Sequence, residues 1–282
     1  MDISLLIIAY SRFNVVEKNL NNLDLTLFKK IYLNIDGPKT NQIKSKQLTF
    51  IKKVNSLKIG NLEISINQTN IGVRNFVVQS ISSSFKDSNF LLVLEDDILI
   101  NNKSIQFILS NKDILNKNII SLFNPINLKN NILTFDGGIW GWSVSKENWQ
   151  KFHWVNDSYF TIFCNVYNCQ GLLKSLYYSP LICLSSRGLI KSWAYTWYYI
   201  RLIQNIKSLV PFERLSVNTG IGDLHASNSI RNHKFSNLKL SNNLKQSFKN
   251  HSIPLTILSG FSFPNIILRI IYNNLRFIFL KK

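Results

Sequence analysis

FLLVLEDDILI, residues 90–100, sets three acids, Glu95, Asp96 and Asp97, inside the most apolar segment of the chain. Only 15 acidic residues stand against 33 Lys and Arg, and carboxylates among apolar neighbours are unfavourable unless something compensates their charge. Phe90–Leu94 has the length and continuity of a strand buried on both faces, as in the middle of a parallel sheet. Consecutive strand side chains point to opposite faces. The three acids therefore serve one ligand only where the strand ends; a solvated acidic turn is the plainer alternative.

The same texture extends outward. ISLLIIA (3–9), IYLNID (31–36), LEISIN (62–67) and IISLF (119–123) read as further strands. Helical patterns lie between them, near Asn14–Leu23, Gln42–Leu57, 74–86 and Ser104–Leu115, with Val77, Ile81 and Phe85 on one helical face. Repeated β-α-β units predict an α/β fold: a mostly parallel sheet flanked by helices. The first apolar run stops at Ala9 and follows the acidic Asp2, which suits a strand better than a signal peptide. No stretch reaches about 18 consecutive apolar residues, so no transmembrane helix is expected.

After residue 130 the pattern becomes irregular. All 6 tryptophans lie between Trp140 and Trp197, and glycines cluster in FDGGIWGW. This divides the chain into a regular α/β half (1–125), an irregular, substrate-side half (126–230) and a basic tail (231–282). In the tail, Ile266, Ile267, Ile270, Ile271, Leu275 and Ile278 are expected on one helical face, opposite Arg269, Asn273 and Arg276. Such a helix suits an anionic membrane surface; packing on the α/β body is the alternative. The net charge of +18 favours polyanionic partners. Three unpatterned cysteines, Cys164, Cys169 and Cys183, fit a reducing cytoplasm.

Ligands of parallel α/β sheets bind outside the carboxyl ends of the strands. Tyr10–Arg12, Asp36 and Glu95–Asp97 follow three such strands, and Asn70, Gly72 and Arg74 follow a fourth. Oxygen ligands of this kind suit Mg²⁺ or Mn²⁺, which use one or two protein carboxylates together with substrate phosphates.

In order along the chain, LLIIAYSRFNVVEKNLNNL, IYLNIDGPK, NIGVRNFVVQSISSSF, LLVLEDDILI, GGIWGWSVSKENW, KSWAYTWYYIRLI and LVPFERLSVNTGIGDLHAS resemble nucleotide-sugar glycosyltransferases of the GT-A (Rossmann-like) fold. The likeness spans roughly residues 3–227 and is strongest to bacterial sugar transferases related to N-acetylglucosaminyltransferase I. It implies that Ala9, Tyr10 and Arg12 border the base and ribose, Asp36 contacts uracil and Arg74 lies near the donor phosphates. In the EDD motif, Asp97 would bind Mn²⁺ (or Mg²⁺), and Glu95 and Asp96 would contact the donor. The resemblance also implies an inverting reaction that builds a cell-surface glycan, of the lipopolysaccharide or capsule kind, on a glycan or lipid-linked acceptor. The enzyme would lie on the cytoplasmic side, peripheral to the inner membrane.

Where some relatives carry Trp-Asp, with the Asp as base, this chain has Trp193-Ala194. Asp136, Asp157, Glu213 and Asp223 remain as candidates, and Asp136, which opens the loop before Trp140, is favoured. His225 is a candidate for the metal or diphosphate, and Trp140, Trp142 and Trp193 for stacking on the acceptor sugar; Trp149 and Trp197 read as core. A nucleotidyltransferase is the alternative enzyme, although LLIIAYSRFN lacks the glycines it needs. A non-catalytic basic binding protein is the other, but the scattered basic residues do not suit nucleic acid.

Overall fold

The computed structural model describes residues 2–124, 128, 130–220, 240, 248–250 and 263–280. Four parallel strands form its core: β1 (Ile3–Ala9), β2 (Ile31–Ile35), β3 (Leu62–Ile66) and β4 (Phe90–Glu95), in the order β4-β1-β2-β3. Five further strands extend the sheet beyond β4: β6 (Ile119–Ser121), β7 (Asn131–Thr134), β8 (Trp142–Ser145), β9 (Ser208–Val210) and β11 (Phe248–Asn250). The full order is β11-β7-β9-β6-β8-β4-β1-β2-β3. β6 and β9 run with the first four strands, while β8, β7 and β11 run against them. This is the expected mostly parallel α/β sheet.

Alternation along the strands builds two cores. Leu5, Ile7, Leu33, Leu92 and Leu94 face one side, which is covered by α1 (Phe13–Asn22), α2 (Asn41–Ser56) and α4 (Asn102–Ser110). Leu6, Ile8, Tyr32, Leu91 and Val93 face the other. There the cover is α3 (Val73–Ser84), α5 (Lys146–Trp149), α6 (Tyr159–Gln170), α7 (Leu172–Ser186) and α8 (Ala194–Ile203). Both faces of β1 and β4 are thus buried, which is why their sequences read as unbroken apolar runs.

The apolar residues after Asp97 do not continue β4. They form β5 (Ile98–Ile100), which pairs antiparallel with β10 (Ser216–Asn218) in a separate two-stranded sheet. Asn19 of α1 fixes the departure: its Nδ2 donates to Ile98 O at 2.8 Å and its Oδ1 accepts from Ile100 N at 3.3 Å. Asp96 and Asp97 therefore occupy a turn between two sheets.

The final helix, α9 (Phe263–Leu280), packs on α7. Ile266 and Asn273 are fully buried, the Phe277 ring stacks on Tyr159 at 5.0 Å, and Asn274 donates to Leu176 O at 3.1 Å. The expected single apolar face is therefore split. Ile266 and Ile270 turn inward, Ile267, Ile271, Leu275 and Ile278 turn outward, and Asn273, expected on the polar side, is docked. Among the described residues no helix is long and apolar enough to cross a membrane.

Candidate active site

The carboxyl ends of β1 and β4 lie side by side, with Ile8 opposite Glu95. Asp96 follows and turns back over the end of β1. Its Oδ2 accepts the backbone N–H groups of Tyr10, Ser11 and Arg12 at 2.9, 3.1 and 3.2 Å. Its Oδ1 accepts from Arg12 Nε at 3.0 Å and pairs with Nη2 at 2.9 Å. Asp96 is thus saturated and buried. It shapes the Tyr10–Arg12 loop, and no part of its carboxylate is left for the donor contact expected of it.

Asp97 is held more loosely. Its Oδ2 lies 3.0 Å from Arg12 Nη2, its side chain is hydrogen-bonded by Asn218, and its backbone carbonyl accepts from Thr219 N at 2.8 Å. Gly220 presses against both partners: a Cβ there would collide with Arg12 Nη1 and Asp97 Oδ2. The NTG segment that follows β10 thus closes over the acids.

One guanidinium serves three carboxylates here. Burial, then repulsion from Asp97 and Asp96, pushes the Glu95 carboxyl up to about 8. Burial pushes Asp97 up to about 6, against the pull of Arg12. The cluster holds more negative charge than its own partners offset. Two buried polar atoms nearby, Tyr10 Oη and Arg12 Nη1, have no hydrogen-bond partner among the described residues. Buried polar groups are ordinarily hydrogen-bonded, so both atoms have bonding capacity to spare for a water, an ion or a ligand.

A second node lies at the end of β2. Asp36 Oδ1 accepts from Gly37 N at 2.9 Å and Ile71 N at 3.1 Å. Its Oδ2 accepts from Asn70 Nδ2 at 2.9 Å and Gly72 N at 3.0 Å. Gln47 Nε2 ties the two nodes together, donating to Tyr10 O at 3.0 Å and Asp36 O at 2.9 Å. Gly37 is required, since a Cβ there would strike the Thr69 carbonyl. Ala9, Tyr10, Arg12, Asp36, Asn70, Gly72 and Glu95–Asp97 therefore share one edge. Asp36, however, spends its oxygens on the 70–72 loop and keeps none for a uracil ring. The sequence reading missed Gln47, Asn218 and Gly220.

Other expected residues lie elsewhere. Arg74 donates to Ser185 O and Ser186 O, each at 3.0 Å, and stacks on Trp154 at 3.5 Å. It caps the end of α7, and these contacts take up its guanidinium. Trp142 and Trp193 are 1 % and 3 % exposed and stack on each other at 5.8 Å, with Trp149 and Trp197 packed around Trp142. They are core and offer no face to a sugar. Trp140 is half-buried beside Phe123, edge to face at 4.5 Å, and its carbonyl accepts from Ser216 Oγ. His225 and Asp223 lie outside the described residues.

Asp136 sits in a buried ion pair. Lys174 Nζ lies 2.7 Å from each of its oxygens and 2.8 Å from Gln170 Oε1. Arg201, also buried, donates to the carbonyls of Phe135 and Gly137 at 3.2 Å. A carboxylate neutralised this closely does not meet the needs of a general base; it fixes the loop before Trp140. Lys174→Met is expected to cost about 3–5 kcal/mol by stranding a buried charge. The double variant Lys174→Met, Asp136→Leu should recover much of that in urea unfolding. A simple sum of the two single losses would show that the pair is not coupled.

Of the remaining base candidates, Asp157 accepts from Tyr199 Oη at 2.7 Å. Glu213 is buried and its Oε2 has no partner among the described residues. Its neighbours reach the Trp140 side of the site: Asn124 Nδ2 donates to Phe212 O at 2.6 Å, and Leu215 N donates to Leu122 O at 3.1 Å.

A cleft of about 670 Å³, lined by Ser82, Phe85, Lys86, Lys146, Trp149 and Phe152 among others, opens at the other end of β4, where Lys146 N meets Asn89 O. It is separate from the acid cluster.

No family model and no curated protein matches the chain. Solved structures with a related architecture include S. aureus TarS 1-349 in complex with UDP, at 16 % identity over 53 % of this chain and 48 % of that one, with a TM-score of 0.41. Mannosyltransferase PcManGT from Pyrobaculum calidifontis, in complex with GDP-Man and Mn²⁺, is 10 % identical over 72 % of this chain and 70 % of that one, with a TM-score of 0.43. GalNAc-T7 with UDP, GalNAc and Mn²⁺ is 13 % identical over 51 % and 25 %, with a TM-score of 0.34. The chain spans about half the length of the TarS fragment it matches. Likeness at this level assigns no residue a role.

Proposed function

We propose that this chain is an inverting glycosyltransferase. It would move a hexosyl or N-acetylhexosaminyl group from a nucleotide-sugar, UDP-linked by preference, to a hydroxyl of a glycan or lipid-linked acceptor. The observation that carries the proposal is the under-compensated acid cluster at the carboxyl edge of β4, flanked by the orphaned Tyr10 hydroxyl and Arg12 Nη1. A nucleoside diphosphate brought in with a cation supplies both missing kinds of partner. Kinship with the N-acetylglucosaminyltransferase I-like proteins, and a place in lipopolysaccharide or capsule assembly, rest on the order of the sequence motifs.

The donor set fits a hard divalent cation, Mn²⁺ or Mg²⁺, because only oxygen ligands are present at the cluster. Among the described residues no three His, Cys, Asp or Glu side chains are grouped to hold an ion by themselves. One or two carboxylates completed by phosphate oxygens is the arrangement that remains. Asp97 is the principal ligand in this reading, and Glu95 the second. When bound, such a cation offsets charge on the departing diphosphate. Asp96 holds the Tyr10–Arg12 loop at the base and ribose, and Arg12 orients Asp97.

The acceptor oxygen forms its bond to the anomeric carbon as the bond to the diphosphate oxygen breaks on the opposite face. The hydroxyl proton goes to Glu213, the described carboxylate with an unpartnered oxygen on the Trp140 side. Glu213→Gln is expected to lower kcat by about 10²–10⁴-fold with little change in donor KM. A kcat within about threefold of wild type would remove Glu213 as the base.

The reading as a whole is tested by incubating the protein with UDP-, GDP- and CMP-sugars and following slow hydrolysis, with Mn²⁺ or with EDTA. Mn²⁺-dependent release of one nucleotide diphosphate is expected. No turnover and no nucleotide binding would contradict it.

A further inference from the structure

α9 carries two apolar stripes on opposite sides. Ile266, Ile270, Asn273 and Phe277, spaced four, three and four residues apart, form the stripe that docks on the body. Leu268, Ile271, Tyr272, Leu275, Ile278 and Phe279 form the other and are all exposed, Leu268 by 63 % and Phe279 by 71 %. A helix that served packing alone would need only the first stripe. Phe160, at the start of α6 beside Tyr159, adds a further ring at 74 % exposure. Six exposed apolar side chains along one helix face mark an interaction surface.

Charge identifies the partner. α6, α7, α8 and α9 contain no Asp or Glu, and no acid follows Asp223 anywhere in the chain. Arg269 and Arg276 stand seven residues apart, on one border between the two stripes, and Lys281 and Lys282 follow the helix. A second copy would bring the same acid-free, cationic helix against this one, with no counter-charge. A bilayer surface matches this face on both counts: it offers an apolar layer to the outer stripe and anionic headgroups to its cationic border.

We propose that the outer stripe of α9, with Phe160, lies in the interface of a membrane containing anionic lipid, while the inner stripe keeps the helix fixed to the body. This surface stands whether or not the acid cluster transfers a sugar. It differs from a flexible amphipathic tail, because the helix is docked and the body is held in one orientation to the bilayer.

The test is co-sedimentation of the full chain with vesicles of phosphatidylcholine alone, or containing 30 mole per cent phosphatidylglycerol (about a third anionic lipid, chosen for its surface charge). Binding to the anionic vesicles is expected to be at least about tenfold tighter than to neutral ones, and to weaken in high salt. The triple variant Leu268→Asn, Leu275→Asn, Phe279→Asn should lose at least about tenfold in vesicle affinity, because it removes most of the outer stripe. Its melting temperature should not change, since all three side chains face outward. Arg276→Gln should weaken binding about fivefold. Binding that ignores lipid charge, or that survives the triple variant, overturns the proposal. So does a dimer in sedimentation velocity that the triple variant dissociates, since the stripe would then be covered by a second copy.

Discussion

Asp97→Asn is expected to abolish Mn²⁺-dependent donor hydrolysis and, at the same time, to make the unliganded protein more stable at pH 8. The two effects share one cause. Asp97 and Glu95 are carboxyls raised by burial and mutual repulsion to about 6 and about 8, against about 3.9 and 4.3 in an unfolded chain. Between those values the folded state binds more protons than the unfolded state, so stability falls as pH rises. Their contribution is fully present below about pH 4, where both states are protonated, and is progressively lost as pH passes through about 6 and then about 8. Removing one charge from the cluster relieves part of that loss, on the order of 1–2 kcal/mol at pH 8. Adding Mn²⁺ with UDP should stabilise the wild type in the same pH range, and the variant no more than UDP alone does. Thermal unfolding at pH 5 and pH 8, with and without both ligands, reads all of this. A variant less stable than wild type at pH 8 would show that Asp97 is a structural residue.

Its neighbour should behave in the opposite way. Asp96→Ala removes the acceptor of three backbone N–H groups and both contacts to Arg12, leaving a part-buried guanidinium and an unsupported loop. A loss of about 3–5 kcal/mol is expected, as for breaking a buried charge pair from one side. Asp96→Asn keeps one acceptor oxygen and should lose less, about 1–3 kcal/mol. Urea unfolding midpoints check both. If Asp96→Ala unfolds within about 1 kcal/mol of wild type, on the scale of a single neutral hydrogen bond, the Asp96 carboxylate does not hold the Tyr10–Arg12 loop.

The contrast between these neighbours shows where sequence reading stops. The strand that delivers the acids was legible, because Phe90–Leu94 is buried on both faces and reads as a continuous apolar run. So was the common edge of Tyr10–Arg12, Asp36, Asn70, Gly72 and Glu95–Asp97, which follows from parallel strand direction alone. The division of work among three adjacent acids was not. It depends on the turn into β5, whose partner β10 lies far along the chain, and Ile98–Ile100 reads equally well as more of β4.

Tryptophans posed a related problem, since a large ring suits a core as well as a sugar platform. Trp142 did carry a signal: it shares strand alternation with Val144, and both face the same core. For Asp136 nothing local announced Lys174, the one charged residue of α7. Arg74 likewise finds its partners at the distant end of α7. Charges look available in a sequence until the fold shows what has already claimed them.

The most direct measurement is UDP affinity by calorimetry, in Mn²⁺ and in EDTA, for the wild type and for Asp97→Asn. Binding in the wild type should be at least about tenfold tighter with Mn²⁺, as expected for a coupling of about 1.4 kcal/mol or more between the two ligands. The variant should bind UDP equally weakly in both conditions. Equal UDP affinity in Mn²⁺ and EDTA for the wild type, or full Mn²⁺ coupling retained by Asp97→Asn, would contradict the assignment of the β4 edge as a metal-assisted donor site.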